Sequence, residues 1–292
     1  MINFLSNLIS GLSLGSIYAL IALGYTMVYG IAKMLNFAHG DIIMVGAYSV
    51  IIAVSSFGWP GWLAVVFSIL CCVILGTVIE KIAYKPLRKE ASLSVLITAI
   101  GVSYFLQNLT QLLFGSAQKS FPKIISIPSF SLGALTIRGD SILTLVITSA
   151  IMLSLTWFIH KTRMGKAMQA VSEDQDAAEM MGISVNRTIS VTFAVGSALA
   201  AVAGIFYGTT YGFIGPYSGS MPGIKAFVAA VFGGIGSIPG AMIGGIVLGM
   251  VENLSKAYIS AELSDAIVFA VLIVVLLFKP TGLLGKKIEE KV

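Results

Sequence analysis

Long stretches of this chain carry no Asp, Glu, Lys or Arg: Met1–Ala32, Ile42–Ile79, Ala91–Gln118, Ser141–His160 and Thr188–Ile224. One helical membrane span needs roughly 20 apolar residues, so these runs are long enough to cross a bilayer. Their apolar residues do not alternate with polar ones, which excludes the strand pattern of a membrane β-barrel. Charge and turn punctuation place spans at about 8–30, 42–58, 61–79, 92–114, 141–160, 189–212 and 264–279. The stretch 221–257 is interrupted by Gly233, Gly234, Gly236, Pro239 and Gly240. Two short spans joined by a turn at Ser237–Gly240 fit it best, with a re-entrant element as the alternative. The expected fold is all-α: a polytopic membrane protein of about eight or nine transmembrane helices, organised as one domain over 1–292.

Composition agrees, with 57% hydrophobic and 11% charged residues where a soluble domain carries about a quarter charged. No basic residue precedes the first apolar block and no cleavage site follows it, so it reads as a retained span. The net charge of +5 fits a topological role and not nucleic-acid binding. If Lys81–Lys89 faces the cytoplasm, parity places Lys33, the 161–187 segment and the Lys279–Lys291 tail there too. That puts 13 of the 18 Lys and Arg inside, as the positive-inside rule requires. Trp59 and Trp62 flank Pro60-Gly61 in a tight outer turn at interface depth.

Between Lys161 and Arg187 lies the longest charged excursion between two uncharged apolar blocks. Ser172 with Gln175 reads as a capping box, Glu173 and Asp174 face the positive end of a helix dipole, and Gly182 is placed to end the helix. A docking helix over about Glu173–Met181 is expected just outside the bilayer. Asn36-Phe37-Ala38-His39-Gly40-Asp41 has two readings. Asn36 and Gly40 end the first span while Asp41 caps the second, or Asn36 and His39 form an inner gate. The broken glycine block at 233–240 is a candidate wall of a translocation path, because irregular backbone at membrane depth must be covered by protein or line a cavity. Spacings such as Gly11/Gly15, Gly204/Gly208, Gly240/Gly244 and Gly245/Gly249 suit close packing of helices within the chain.

Catalytic chemistry lacks its parts. His39 and His160 stand apart with no nucleophile or metal-ligand pattern around them, and adjacent Cys71 and Cys72 form neither a disulfide framework nor a metal site. Gly282–Lys287 lacks the spacing and the hydroxyl residue of a phosphate-binding loop, and Gly234–Pro239 fails as a dinucleotide fingerprint. Every charged residue is expected at or beyond a span end, Asp41, Glu80, Asp140, Lys225, Glu252 and Asp265 being the nearest. A proton relay through the bundle is therefore disfavoured, while sodium at unwound backbone stays open.

Five stretches, taken in order, resemble the LivH-like permease subunits of ATP-binding-cassette importers for branched-chain amino acids. They are Gly15–Gly30, Asn36–Gly40, Glu80–Arg88, Thr162–Gly165 and Gly233–Gly245. The resemblance implies a bacterial inner-membrane permease with a cytoplasmic C-terminus and no cofactor of its own. Its partners would be a second related permease, two cytoplasmic ATP-binding subunits that use ATP, and a soluble substrate-binding protein. It places coupling to the ATPases at 161–188, on Arg163, Gly165, Lys166, Ala167, Glu173, Asp174, Ala177, Ala178 and Gly182. Gate or path residues would be Asn36, His39, Gly40, Gly233, Gly234, Gly236, Pro239 and Gly240. Alternatives are the same machinery with urea, short amides or other amino acids as cargo, or an autonomous sodium-coupled carrier or channel.

Overall fold

The computed structural model describes residues 2–88, 90–124, 128–132 and 135–285. Lys89, Lys286, Lys287 and Lys291 of the expected cytoplasmic segments lie outside the described residues. Within them the long helices are α1 (Ile2–Ala32), α2 (His39–Ile51), α3 (Gly61–Ile79), α4 (Ser92–Phe114), α5 (Gly139–Lys161), α8 (Val185–Tyr211), α9 (Ser220–Gly233), α10 (Ile238–Tyr258) and α11 (Ser264–Phe278). Two short helices, α6 (Arg163–Glu173) and α7 (Gln175–Met180), fill the charged excursion. Single wide turns extend α2 through Ile52–Ser56 and α3 through Glu80–Tyr84. The fold is the polytopic helical bundle the apolar runs predict, with two antiparallel two-stranded ribbons added. β1 (Lys119–Ser120) pairs with β4 (Phe213–Ile214), and β2 (Phe130–Leu132) pairs with β3 (Leu135–Ile137).

Among the described residues, seven helices have the length and apolarity to cross a membrane. α9, with 14 residues, and α11, with 15, reach only about 21–23 Å at 1.5 Å per residue, against a hydrocarbon core of about 30 Å. The interrupted block does resolve into two helices, and the turn is Gly234–Ser237: Pro239 and Gly240 already lie in the first turn of α10, which Ser237 caps by accepting from the Gly240 amide at 3.2 Å.

α1 is apolar on all sides and becomes the central helix, with Ile17, Leu20, Ile21 and Leu23 fully buried. It runs antiparallel to α10 at backbone-contact distance. A Cβ on Gly249 would lie 2.2 Å from the Gly15 Cα, one on Gly245 would lie 2.3 Å from the Ala19 nitrogen, and one on Gly11 would lie 3.1 Å from the Met250 Cα. The small-residue spacings thus serve packing within the chain.

One end of the bundle gathers segments that are far apart in sequence. The Tyr84 hydroxyl donates to Asn36 Oδ1 at 2.9 Å, Arg88 donates to Asn186 Oδ1 at 2.6 Å, and Gly30 faces the Cα of Gly236. The amides of Leu283 and Leu284 donate to the carbonyls of Phe232 and Gly233 at 2.8 and 2.9 Å. The basic segments that parity groups on one side therefore meet at one end of the molecule.

Two helices begin partway along the bundle and not at its end. α1 continues seven residues past Tyr25 before ending, yet the His39 ring at the start of α2 lies 4.8 Å from the Tyr25 ring. The chain therefore doubles back over residues 33–38, with Lys33 in a left-handed turn at φ 56°. α9 starts beside the same point: a Cβ on Gly40 would lie 2.6 Å from the Gly219 carbonyl oxygen and 3.1 Å from the Gly223 Cα.

Candidate transport and coupling sites

The charged excursion folds as two helices with a sharp joint. Thr162, not Ser172, starts it, its hydroxyl accepting from the Gly165 amide at 3.0 Å, and Met168 and Val171 bury the inner face of α6. Ser172 falls in the last turn of α6 and donates to the Gln169 carbonyl at 2.7 Å. The cap of the second helix is Asp174, extended at φ −155°, whose carboxylate accepts from the Ala177 amide at 2.9 Å. The expected single helix over 173–181 is replaced because the apolar series Met164, Met168 and Val171 extends the fold's hold one helix earlier.

The C-terminal end is as the sequence predicts. Gly182 sits at φ 81°, its amide donating to the Glu179 carbonyl at 2.9 Å and the Ile183 amide to the Ala178 carbonyl at 3.0 Å. Those paired bonds form a Schellman cap, which a residue with a Cβ closes only at a cost.

The nine residues expected to couple divide by exposure. Arg163, Lys166, Glu173, Asp174 and Gly182 are exposed, Ala167 and Ala177 half-buried, and Gly165 and Ala178 buried. Gly165 is held for packing: a Cβ there would lie 2.3 Å from the Ile159 carbonyl oxygen. Ala178 faces the bundle and is not free for a partner. The sequence reading missed Met180 and Met181, 82% and 83% exposed at the tip of α7 beside Glu179. Two large apolar side chains next to the Gly182 stop were the available signal.

The gate and path candidates also separate. Gly233 and Gly240 cross at backbone contact and Gly234 abuts Gly285, so these three are covered by protein at the bundle end, while Gly236, which faces Gly30, and Pro239 are exposed. Irregular backbone at depth lies instead at 33–38 and before Ser220. Asn36 and His39 are buried there, and the His39 Nε2 has no hydrogen-bond partner among the described residues. Gly40 is a crossing point and ends no helix, while Asp41 turns away from its own helix to accept from Gln107 Nε2 at 2.9 Å. Gln107 also reaches the hydroxyls of Ser103 and Ser220, both at 3.1 Å, tying α4 to the starts of α2 and α9.

The expected absence of charge inside the bundle is overturned. Glu252 is fully buried in α10, accepting from Tyr18 at 2.8 Å, Lys225 at 2.8 Å and Lys256 at 2.5 Å, and Lys225 also meets Asp265 at 2.6 Å. Lys225 reads as a span-end residue in sequence, but α9 begins within the bundle and carries it inside. A second cluster at the end near α6 joins buried Glu80 to Arg88 and to the Ser190 hydroxyl, the latter at 2.7 Å. No group of three or more metal-ligating side chains occurs among the described residues.

A profile described as "Branched-chain amino acid transport system / permease component" matches residues 7–276. The high-affinity branched-chain amino acid transport system permease protein LivH of Salmonella typhimurium is 46% identical over 304 aligned residues, covering 99% of this chain and 98% of that protein. LivH of Escherichia coli K12 aligns with the same identity and coverage. BraD, the corresponding permease protein of Pseudomonas aeruginosa, is 44% identical over 302 residues with 99% and 98% coverage.

Proposed function

The chain belongs to the family of permease components of branched-chain amino acid transport systems, and from that premise we propose that it forms half of the membrane passage of an ATP-driven importer for leucine, isoleucine and valine. The complete machine pairs it with a second related permease, two cytoplasmic ATP-binding subunits and a soluble protein that delivers the amino acid. It sits in a bacterial inner membrane with the α6–α7 end and the C-terminus in the cytoplasm, the side the positive-inside rule assigns to its basic segments.

The observation that carries the energy source is the α6–α7 pair. Its base is fixed through Gly165, Met168 and Val171, while its tip projects Glu173, Asp174, Glu179, Met180 and Met181 outward. A rigid short helix with an apolar tip and acidic flanks suits a groove with basic edges, in the manner of a helix seated in a partner. Closure of the ATP-binding subunits would shift this element as a lever, and the clasp of Glu80, Arg88 and Ser190 lies where α3 and α8 would receive the shift. Asn36, His39 and Gly40, at the doubled-back segment beside α9, are the proposed inner gate.

The test is co-purification in mild detergent from membranes holding all subunits, comparing the native chain with Met180→Asp/Met181→Asp. Those positions are exposed, so the variant keeps its fold. Loss of the ATP-binding subunits with retention of the second permease supports the reading. A chain that purifies alone, or that takes up leucine in liposomes without ATP-binding subunits, overturns it in favour of an autonomous carrier.

A further inference from the structure

Two outward apolar faces of the bundle differ in the backbone behind them. One is carried by α3, from Trp62 through Leu70 and Ile74 to Ile82. Its backbone is helical from Gly61 to Tyr84, so lipid tails along it meet amides and carbonyls already bonded to each other. The other runs through Tyr217, Met221 and Ile224 where the chain enters α9. Met221 and Ile224 stand three apart on one helix face, and Tyr217 precedes Met221 by four positions.

The depth of this second face follows from α4, whose 23 residues make a full crossing of about 34 Å. Gln107, seven residues or about 10 Å inward of the end at Phe114, meets the Ser220 hydroxyl at 3.1 Å. Gln111, three residues or about 5 Å inward, accepts from the Tyr217 hydroxyl at 2.7 Å. The turns over 216–219 therefore lie at hydrocarbon depth, where non-helical backbone is not left open to lipid. Water suits the face no better, because Tyr217, Met221 and Ile224 bring no charge and the one hydroxyl among them is engaged by Gln111. A protein surface satisfies both the backbone and the side chains.

We propose that the second permease seats an uncharged, apolar helix face on Tyr217, Met221 and Ile224; this rests on the transport reading above. Tyr and Met are enriched where proteins meet. The contact also reaches the proposed gate through one layer of backbone. The Phe227 ring, one turn beyond Ile224, lies 5.9 Å from the Tyr25 ring and 5.4 Å from the Phe37 ring, and a Cβ on Gly223 would lie 2.8 Å from the Gly40 Cα. Lys225 holds α9 to α10 through Glu252 at 2.8 Å. A shift of the partner across Met221 and Ile224 is thus passed by α9 to the segment Asn36–Gly40.

The experiment uses the complete complex in native membranes, with a photoreactive side chain at Ile224→p-benzoylphenylalanine and, on the lipid face, at Ile74→p-benzoylphenylalanine. Irradiation is expected to join the Ile224 variant to the second permease at least tenfold more than the Ile74 variant, as read by mass spectrometry of the cross-linked band. Met221→p-benzoylphenylalanine, one turn earlier, asks the same question if the larger group at Ile224 hinders assembly. An adduct with lipid or with a second copy of this chain overturns the proposal, as does no protein adduct from either position in a complex that still holds the second permease. Labelling of Ile224→Cys in that complex by a membrane-impermeant cationic methanethiosulfonate, above the level the parent chain shows through Cys71 and Cys72, overturns it too, since the face then meets water. A native chain that purifies with no second permease overturns the transport assembly itself and the proposal with it, a result read before any irradiation.

Discussion

Replacing Glu252 by Ala tests whether the buried charge cluster is built as a unit. The substitution removes a fully buried carboxylate that accepts from Tyr18 and Lys225, each at 2.8 Å, and from Lys256 at 2.5 Å. Breaking a buried ion pair by removing one partner costs about 3–5 kcal/mol, because the other charge stays desolvated. Two features moderate the loss. Lys225 keeps Asp265 at 2.6 Å, and Lys256, with 35% of its side chain exposed, can swing its ammonium toward water. The Tyr18 hydroxyl has no such exit, and a buried donor without an acceptor costs about 1–3 kcal/mol.

We expect a net loss of about 3 kcal/mol for Glu252→Ala and a smaller one for Lys225→Met, which leaves Glu252 with Lys256 and Tyr18 as partners and Asp265 without its ammonium. The double variant Lys225→Met/Glu252→Ala removes both buried charges and is expected to cost less than the sum of the singles by about 2 kcal/mol. Equilibrium unfolding in mixed micelles titrated with sodium dodecyl sulfate measures all three. Additive losses, or a single-variant loss under 1 kcal/mol, would refute the idea that these groups depend on one another.

At the α1–α10 crossing, Gly249→Val drives a side chain into the Gly15 backbone and is expected to abolish accumulation of folded protein, while Gly101→Ala, with nothing within 4 Å, leaves it unchanged; fluorescence-detected gel filtration compares them. Asp174→Ala removes the cap of α7 and should cost that helix about 1 kcal/mol, whereas Ser172→Ala should cost less than 0.5 kcal/mol, as read by amide exchange over 174–182. Gly182→Ala places a Cβ at φ 81° and should raise exchange in the same segment by the equivalent of about 1 kcal/mol. Arg88→Ala leaves Glu80 buried with Ser190 as its remaining side-chain partner and is expected to lower uptake and thermal stability together; unchanged uptake at equal protein level would separate the clasp from coupling.

The helical segments were legible because each is an uncharged run bounded by charge or by Gly and Pro, and the interruption at 233–240 was legible for the same reason. Gly182 could be read as a helix stop because its neighbours on both sides were periodic. Ser172 and Asp174 are both competent caps two residues apart, and the choice fell to Asp174 because Met168 and Val171 anchor an earlier helix. The buried charges were not legible. A linear sequence gives distance along the chain and not depth in the bundle, so Lys225, five residues into α9, looked peripheral when α9 itself starts inside. The polar link from Asp41 to Gln107 joins positions 66 apart with no periodicity to announce it.

The pairing of Gly15 with Gly249 also sets a timetable for synthesis. The helix that the first 32 residues make has its closest partner in α10, which begins more than 200 residues later. At about 5–20 residues per second, the small-residue face of α1 waits about 10–40 s for that partner. During the wait it is served by α8 at best, and its flat backbone face is open to any other helix with small residues. The Leu283 and Leu284 amides, which close the carbonyls of Phe232 and Gly233, and Gly285 against Gly234 arrive last of the described contacts. A stall or truncation before α10 would therefore leave a chain whose central helix is inserted but unclaimed, the form on which membrane quality control has most to recognise.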